Sequence, residues 1–461
     1  MKHTSMMRKA LPALLAAVLA VPSPAASAGR GRNDGGQFER EVEACFHRRM
    51  THGTLADVAS RPLARRKIAA ARAAVWQTWQ RTLREASPLP LPALRPLGEA
   101  SQGSWTLPDS LEPSATMAFY YGTKGQRPAG GYPFYLYLHG SGPRAAEWAT
   151  GLQLALRFDD APSVYFVPRI PNEGAYYRWW QRAKLYAWRH LLWQVLASDS
   201  VNPARLYVLG ISEGGYGSQR LAAFLGDYWA AAGPMAGGEP LPNAPAVNLA
   251  GVPFSLLTGA DDAGFCRNRL TAEAGRVLDS LRTAHPGSYE HRVELIPGRG
   301  HGIDYSPTTP WLKRYERNAR PAYFAWEDYA MDGCRREGFG CLRMVRRPSG
   351  EADARTCYEV TLRGNSVDLR ISNVSYTTAE ADTQWGIPLR SARTLTPATG
   401  GELLLYFDEE QVDVRRDVVV RVNGREAFRG RVRPDACHLA ESCALWGDPL
   451  RLYALAVRVT Y

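Results

Sequence analysis

Arg205-Leu-Tyr-Val-Leu-Gly210-Ile211-Ser212-Glu213-Gly214-Gly215 is an apolar run that stops at a serine flanked by glycines. The segment after it, with Gln219, Leu221, Ala222, Phe224 and Leu225, carries helix spacing. A serine in G-x-S-x-G between a strand and a helix sits on a sharp, strained turn. Glycine at 210 and 214 keeps the backbone free to bend and the hydroxyl open to approach. With 42 glycines in the chain, one such match is weak evidence by itself. It has three companions. His139-Gly140-Ser141-Gly142 follows the apolar run 132–138, and Gly259-Ala260-Asp261-Asp262 follows Pro253-Phe-Ser-Leu-Leu. Gly300-His301-Gly302 follows Arg292-Val-Glu-Leu-Ile.

Serine, then acid, then histidine is the chain order of an α/β-hydrolase. Apolar runs at 132–138, 163–168, 205–210, 230–234, 252–258 and 291–297 read as strands. Helical patterns over about 176–197, 214–226 and 268–285 fall between them. Near-continuous apolar strands alternating with helices predict a mostly parallel sheet covered on both faces. In such a sheet the active-site loops gather at the carboxyl ends of the strands, where all four motifs lie.

A serine hydroxyl attacks only once a base takes its proton, so Ser212 needs a partner. His301, between two glycines after a strand, is the candidate base. Asp261 and Asp262 are adjacent, and their side chains diverge, so one of them orients His301. Asp262 is favoured because its position three residues after Gly259 resembles the usual glycine-to-acid spacing of such hydrolases. The oxyanion hole is expected from the backbone N–H of Glu213 and from the turn at Ser141, with His139 a structural hydrogen-bonder. Tyr177, Trp179 and Trp180 are candidate substrate-binding residues that could form a flat apolar wall; the competing reading is that they pack the helix they begin.

Residues 98 to 327 resemble the exported α/β-hydrolases grouped with polyhydroxybutyrate-depolymerase-like esterases, dienelactone hydrolases and the prolyl-oligopeptidase-type peptidases. The resemblance is carried by Gly210-Ile-Ser-Glu-Gly-Gly-Tyr-Gly-Ser-Gln-Arg-Leu, Phe265-Cys-Arg-Asn-Arg-Leu and His301-Gly-Ile-Asp-Tyr. It implies cleavage of carboxylic esters by a Ser-Asp-His triad, with a serine peptidase as one alternative. A non-catalytic surface- or carbohydrate-binding protein on a hydrolase fold is the other. No cofactor or metal is expected, and the partner is a small-molecule or polymer ester.

The 461 residues are too many for one average domain. Lys2, Arg8 and Lys9, the apolar stretch 10–21 and Ala26-Ser27-Ala28 read as a signal peptide over residues 1–28. This predicts an exported, periplasmic or secreted chain with no integral membrane segment. Residues 29–97 read as a helical lead, 98–345 as the catalytic domain and 351–461 as a small β-sandwich with an Asn423-Gly424 hairpin turn. The net charge of +11 comes from scattered arginines, 50 of the 56 basic residues, without the clustering that nucleic-acid binding needs. Of seven cysteines, the close pairs Cys334/Cys341 and Cys437/Cys443 are the expected disulfides.

Overall fold

The computed structural model describes residues 34–461, so the segment read as a signal peptide lies outside the described residues. Nine strands form the central sheet: β1 (Arg95–Pro96), β2 (Gln102–Thr106), β3 (Thr116–Lys124), β4 (Tyr132–Leu138), β5 (Ser163–Pro168), β6 (Val201–Ile211), β7 (Ala231–Met235), β8 (Phe254–Gly259) and β9 (His291–Ile296). Their order is β1-β3-β5-β4-β6-β7-β8-β9, with β2 on β3. From β5 to β9 every pair is parallel. β3 runs antiparallel to both β2 and β5. The fully buried faces of β4, β5, β7 and β8 explain their unbroken apolar sequences. This is the mostly parallel α/β sheet expected from the sequence.

The helices are α1 (Asp34–His52), α2 (Ile68–Ala86), α3 (Arg144–Arg157), α4 (Arg182–Ala197), α5 (Glu213–Phe224), α6 (Arg267–Ala284), the short α7 (Thr308–Leu312) and α8 (Ala436–Trp446). Helix α4 begins at Arg182, so 177–181 is an aromatic loop where the sequence suggested helix. None of the described helices is long and apolar enough to cross a membrane.

Register brings the motifs together. Leu138 pairs with Gly210, Ile211 with Met235 and Gly259 with Ile296, so β4, β6, β8 and β9 end along one edge. The loops at 139–142, 212, 260–262 and 299–301 all leave from that edge.

Ten further strands form two more sheets. One contains β10 (Tyr323–Asp328), β13 (Arg355–Arg363), β14 (Ser366–Ala381), β15 (Pro388–Pro397), β17 (Val418–Val422) and β18 (Arg425–Gly430). The other contains β11 (Gly338–Phe339), β12 (Leu342–Arg346), β16 (Glu402–Phe407) and β19 (Leu455–Thr460). Trp326, Leu342, Val360, Leu405 and Val457 share one core between them, so the two sheets make a sandwich. It draws strands from residue 323 onward, earlier than the expected start at 351, because β10 pairs along its whole length with β13. Asn423 and Gly424 both have positive φ, 49° and 82°, as a hairpin turn between β17 and β18 demands.

One expectation is corrected, the disulfides, and one element is added to the expected β-sandwich: Ala436–Trp446 is helical and buried over almost all its length. It packs with α1 and α2 in a shared core of Phe46, Trp79, Leu439 and Ala444. All seven cysteines are free. Cys437 and Cys443 both lie on α8, six residues and about 9 Å of helix rise apart, beyond disulfide reach. Cys334 and Cys341 are half-buried thiols.

Candidate active site

Ser212 has φ 57° and ψ −113°, a strained conformation for a residue with a side chain, where β6 turns into α5. The glycines around it are needed for packing more than for access to the hydroxyl. A Cβ at Gly214 would lie 1.9 Å from the Leu138 carbonyl, and one at Gly210 would lie 2.3 Å from the Gly214 carbonyl. The elbow is therefore pressed against the end of β4.

Ser212 Oγ lies 2.9 Å from His301 Nε2, and His301 Nδ1 lies 2.8 Å from Asp262 Oδ2. A carboxylate can only accept, so Nδ1 carries the proton and Nε2 is left to receive the serine proton. Asp262 is buried, whereas Asp261 is exposed. The acid loop and the histidine loop are laced by Ala260 N–H to Ile296 O, 2.9 Å, and Asp261 N–H to Arg299 O, 2.8 Å. Gly259 permits this, since a Cβ there would meet the Gly300 carbonyl at 2.0 Å.

Arg267 is a residue that sequence reasoning missed. Its Nε and Nη2 donate to both oxygens of Asp262 at 2.8 and 2.6 Å. Burial pushes the Asp262 carboxyl up, and the Arg267 and His301 hydrogen bonds more than offset it, leaving the group below the usual carboxylate range. Phe265 and Cys266 both have positive φ, 51° and 59°, which turns the chain so that Arg267, at the start of α6, faces back on Asp262. Its sequence signal was its place in Phe265-Cys-Arg-Asn-Arg-Leu, five residues after the acid, a stretch that carried the resemblance without giving the arginine a role.

The turn at 139–142 abuts the nucleophile: a Cβ on Gly140 would be 3.5 Å from Ser212 Cβ. Ser141 is exposed on this turn, and Glu213 opens α5 beside it. His139 is buried; its Nε2 accepts the Ile170 N–H at 3.1 Å, so its Nδ1 donates to Gly140 O at 2.7 Å. Burial takes its imidazole down to about 4, which keeps it neutral in this structural role.

The three candidate substrate aromatics divide. Tyr177 donates to Gly140 O and Gly142 O at 3.0 and 3.2 Å, and Trp179 Nε1 donates to His139 O at 3.0 Å. Both are buried and brace the turn; neither is a substrate wall. Trp180 lines an open cleft that Glu213 also borders, with the Arg220 guanidinium 4.0 Å above its ring. Trp311 packs against Tyr315 in the core. Among the described residues no cluster of histidine, cysteine or carboxylate side chains could hold a metal ion.

No family model and no curated protein matches this sequence. Solved structures do align with it. A thermostable esterase aligns at 20% identity and a TM-score of 0.33, over 47% of this chain and 63% of its own. The BES protein from Bacillus cereus aligns at 12% identity and a TM-score of 0.35, over 49% of this chain and 97% of its own. The substrate-bound fluorophosphonate-binding serine hydrolase F of Staphylococcus aureus aligns at 13% identity and a TM-score of 0.30, over 46% of this chain and 94% of its own. These are likenesses at low superposition, and the roles assigned to residues below rest on the geometry described above.

Proposed function

We propose that this chain is an exported serine hydrolase that cleaves carboxylic esters through an acyl-serine intermediate. The observation that carries the reading is the unbroken hydrogen-bond chain Asp262–His301–Ser212, with the serine strained on its elbow. His301 Nε2 takes the Ser212 proton as Oγ attacks the ester carbonyl. Asp262, anchored by Arg267, stabilises the imidazolium. The N–H groups of Glu213 and Ser141 receive the oxyanion. His301 then returns the proton to the departing alcohol, and water attacking the acyl-serine completes the cycle. Neither a cofactor nor a metal enters any step.

Treatment of the full chain with a fluorophosphonate, followed by peptide mapping, tests the reading. Ser212 should be the single modified residue, and Ser212→Ala should lose labelling while keeping its melting temperature. Labelling that persists in that variant would remove the assignment. A panel of small esters and aminopeptides then separates esterase from peptidase. Mapping the N-terminus of protein recovered outside the cytoplasm should give a chain beginning near Gly29.

A further inference from the structure

Where the N-terminal helices, the catalytic sheet's helices and the sandwich meet, the chain leaves a cavity of about 60 Å³. No member of the triad borders it. Arg49 enters from α1, Arg189 from α4, Leu225 from the end of α5 and Leu445 from α8, and the stretch 334–338 leading into β11 completes the wall. Four of the lining residues are arginines, and Glu337 is the one carboxylate among them.

Three of those guanidinium groups are matched. Arg49 donates to Glu337 and to the Gly53 carbonyl, each at 2.5 Å. Arg336 is held by Asp227 at 2.6 and 2.9 Å, and Arg335 by Asp328 at 3.5 Å and the Ala352 carbonyl at 3.0 Å. Arg189 is the exception: it makes neither a hydrogen bond nor an ion pair among the described residues. The nearby acids have no charge to spare, since Asp227 also takes Arg451 and Asp328 also takes Arg347.

Arg189 is partly buried, and it converges on the same turn as Arg49. A Cβ on Gly53 would lie 3.8 Å from Arg189 Nη1. Burial, and next the Arg49 guanidinium, lower the Arg189 pKa from its usual value, while Glu337 opposes them from beyond salt-bridge reach. Access separates the two arginines. Arg49 Nε is unpartnered and sealed from solvent; no nitrogen of Arg189 is sealed in this way, so its guanidinium can meet a ligand.

An anion matches this group, and the cavity restricts which anion. A guanidinium presents a planar fork that two oxygens of a carboxylate engage together, whereas a halide is a single point charge. A phosphate would turn its remaining oxygens toward Leu185, Leu192 and Leu225, which offer no donor. The same leucines suit a short alkyl tail. A water needs roughly 10–15 Å³ of such space, so there is room for about four to six heavy atoms.

We propose that this cavity binds a short-chain monocarboxylate of two or three carbons, its oxygens on the Arg189 fork and its alkyl end against the leucines. The site does not depend on the hydrolase reading. Because its wall is drawn from α1, α4, α8 and the stretch leading into the sandwich, the bound anion fastens the three parts of the chain together.

The probe is propionate, and the protein is the full chain in a buffer whose own anion is a bulky sulfonate. Propionate should raise the apparent melting temperature by at least about 2 °C over sodium chloride at equal ionic strength, since a ligand that binds the folded chain stabilises it by mass action. Arg189→Met should abolish that excess. Calorimetry on the unmodified chain should give one saturable site, for which acetate competes and hexanoate, too long for the cavity, does not. Should Arg189→Met fail to fold, Arg189→Lys replaces it: an ammonium lacks the planar fork, so propionate affinity should fall at least about tenfold. Equal melting temperatures in propionate and chloride overturn the site. So does an excess that persists in Arg189→Met, an affinity unchanged in Arg189→Lys, or displacement of propionate by hexanoate.

Discussion

Asp261 and Asp262 differ by one position and by almost everything physical. Asp262 is buried, accepts from His301 Nδ1 and is gripped by both donors of Arg267. Asp261 is exposed. Replacing Asp262 with Asn leaves a group that can donate to Nδ1 and so favours the wrong imidazole tautomer, as well as removing the charge that balances the imidazolium. Turnover of a small ester by Asp262→Asn should fall by about three to four orders of magnitude, while Asp261→Asn should lose less than about tenfold. Steady-state kinetics on p-nitrophenyl acetate would show this, and the reverse ranking would transfer the role to Asp261. The Asp262–His301–Ser212 hydrogen-bond chain was legible in the sequence because each member follows a strand and has a glycine within three positions of it, features that local pattern records. Arg267 was not. Its approach to Asp262 depends on two consecutive positive-φ residues, Phe265 and Cys266, neither of a type that signals that conformation.

At the scale of elements, the turn 139–142 has no regular structure of its own and is held from outside. Tyr177 and Trp179 of the aromatic loop donate to its carbonyls, and His139 closes it from within. The sequence showed aromatics next to the site but could not say which way they face, because a loop has no period to assign sides. Tyr177→Phe keeps the ring and removes the hydroxyl that bridges Gly140 O and Gly142 O. The freed carbonyls should loosen the expected oxyanion donor at Ser141. That donor acts on the transition state, so kcat should fall about tenfold with KM nearly unchanged. A rise in KM at constant kcat would instead place Tyr177 in substrate binding. Helix α8 was hidden for a related reason. Ala436-Cys-His-Leu-Ala-Glu-Ser-Cys-Ala-Leu-Trp is buried nearly all round, so it shows no amphipathic stripe to read.

At the scale of the whole molecule, composition and the Arg346-Arg347-Pro348-Ser349-Gly350 stretch suggest a separable C-terminal domain, and long-range pairing, which no local pattern encodes, joins it to the rest. Cutting after Arg347 would strip β10 of β13 and β12 of β16, exposing Phe324, Trp326 and Leu342. It would also remove Asp448 and Arg451 from a buried ion network. Asp448 accepts from Arg317 at 2.7 and 3.1 Å and from Arg451 at 2.7 Å, while Arg451 also reaches Asp227 beyond α5. Breaking a buried pair from one side costs about 3–5 kcal/mol because the remaining charge keeps its desolvation cost. The truncated chain should therefore be insoluble; a soluble, monodisperse product with small-ester turnover within a few-fold of the full chain would show that the two parts are independent. Asp448→Asn is the milder form of the same test, with a sign that pH can read. Burial alone would raise the Asp448 carboxyl, but Arg317 and Arg451 bring it down to about 2, below the usual 3.8. A depressed carboxylate contributes stability above the unfolded value of 3.8 and loses it as pH falls through about 2. Denaturant melts of the full chain should thus weaken across that acid window. Asp448→Asn should be less stable at neutral pH, and its loss of stability on acidification should be shallower than that of the unmodified chain. Parallel acid limbs for the two proteins would mean that the Asp448 charge is not what binds the halves together.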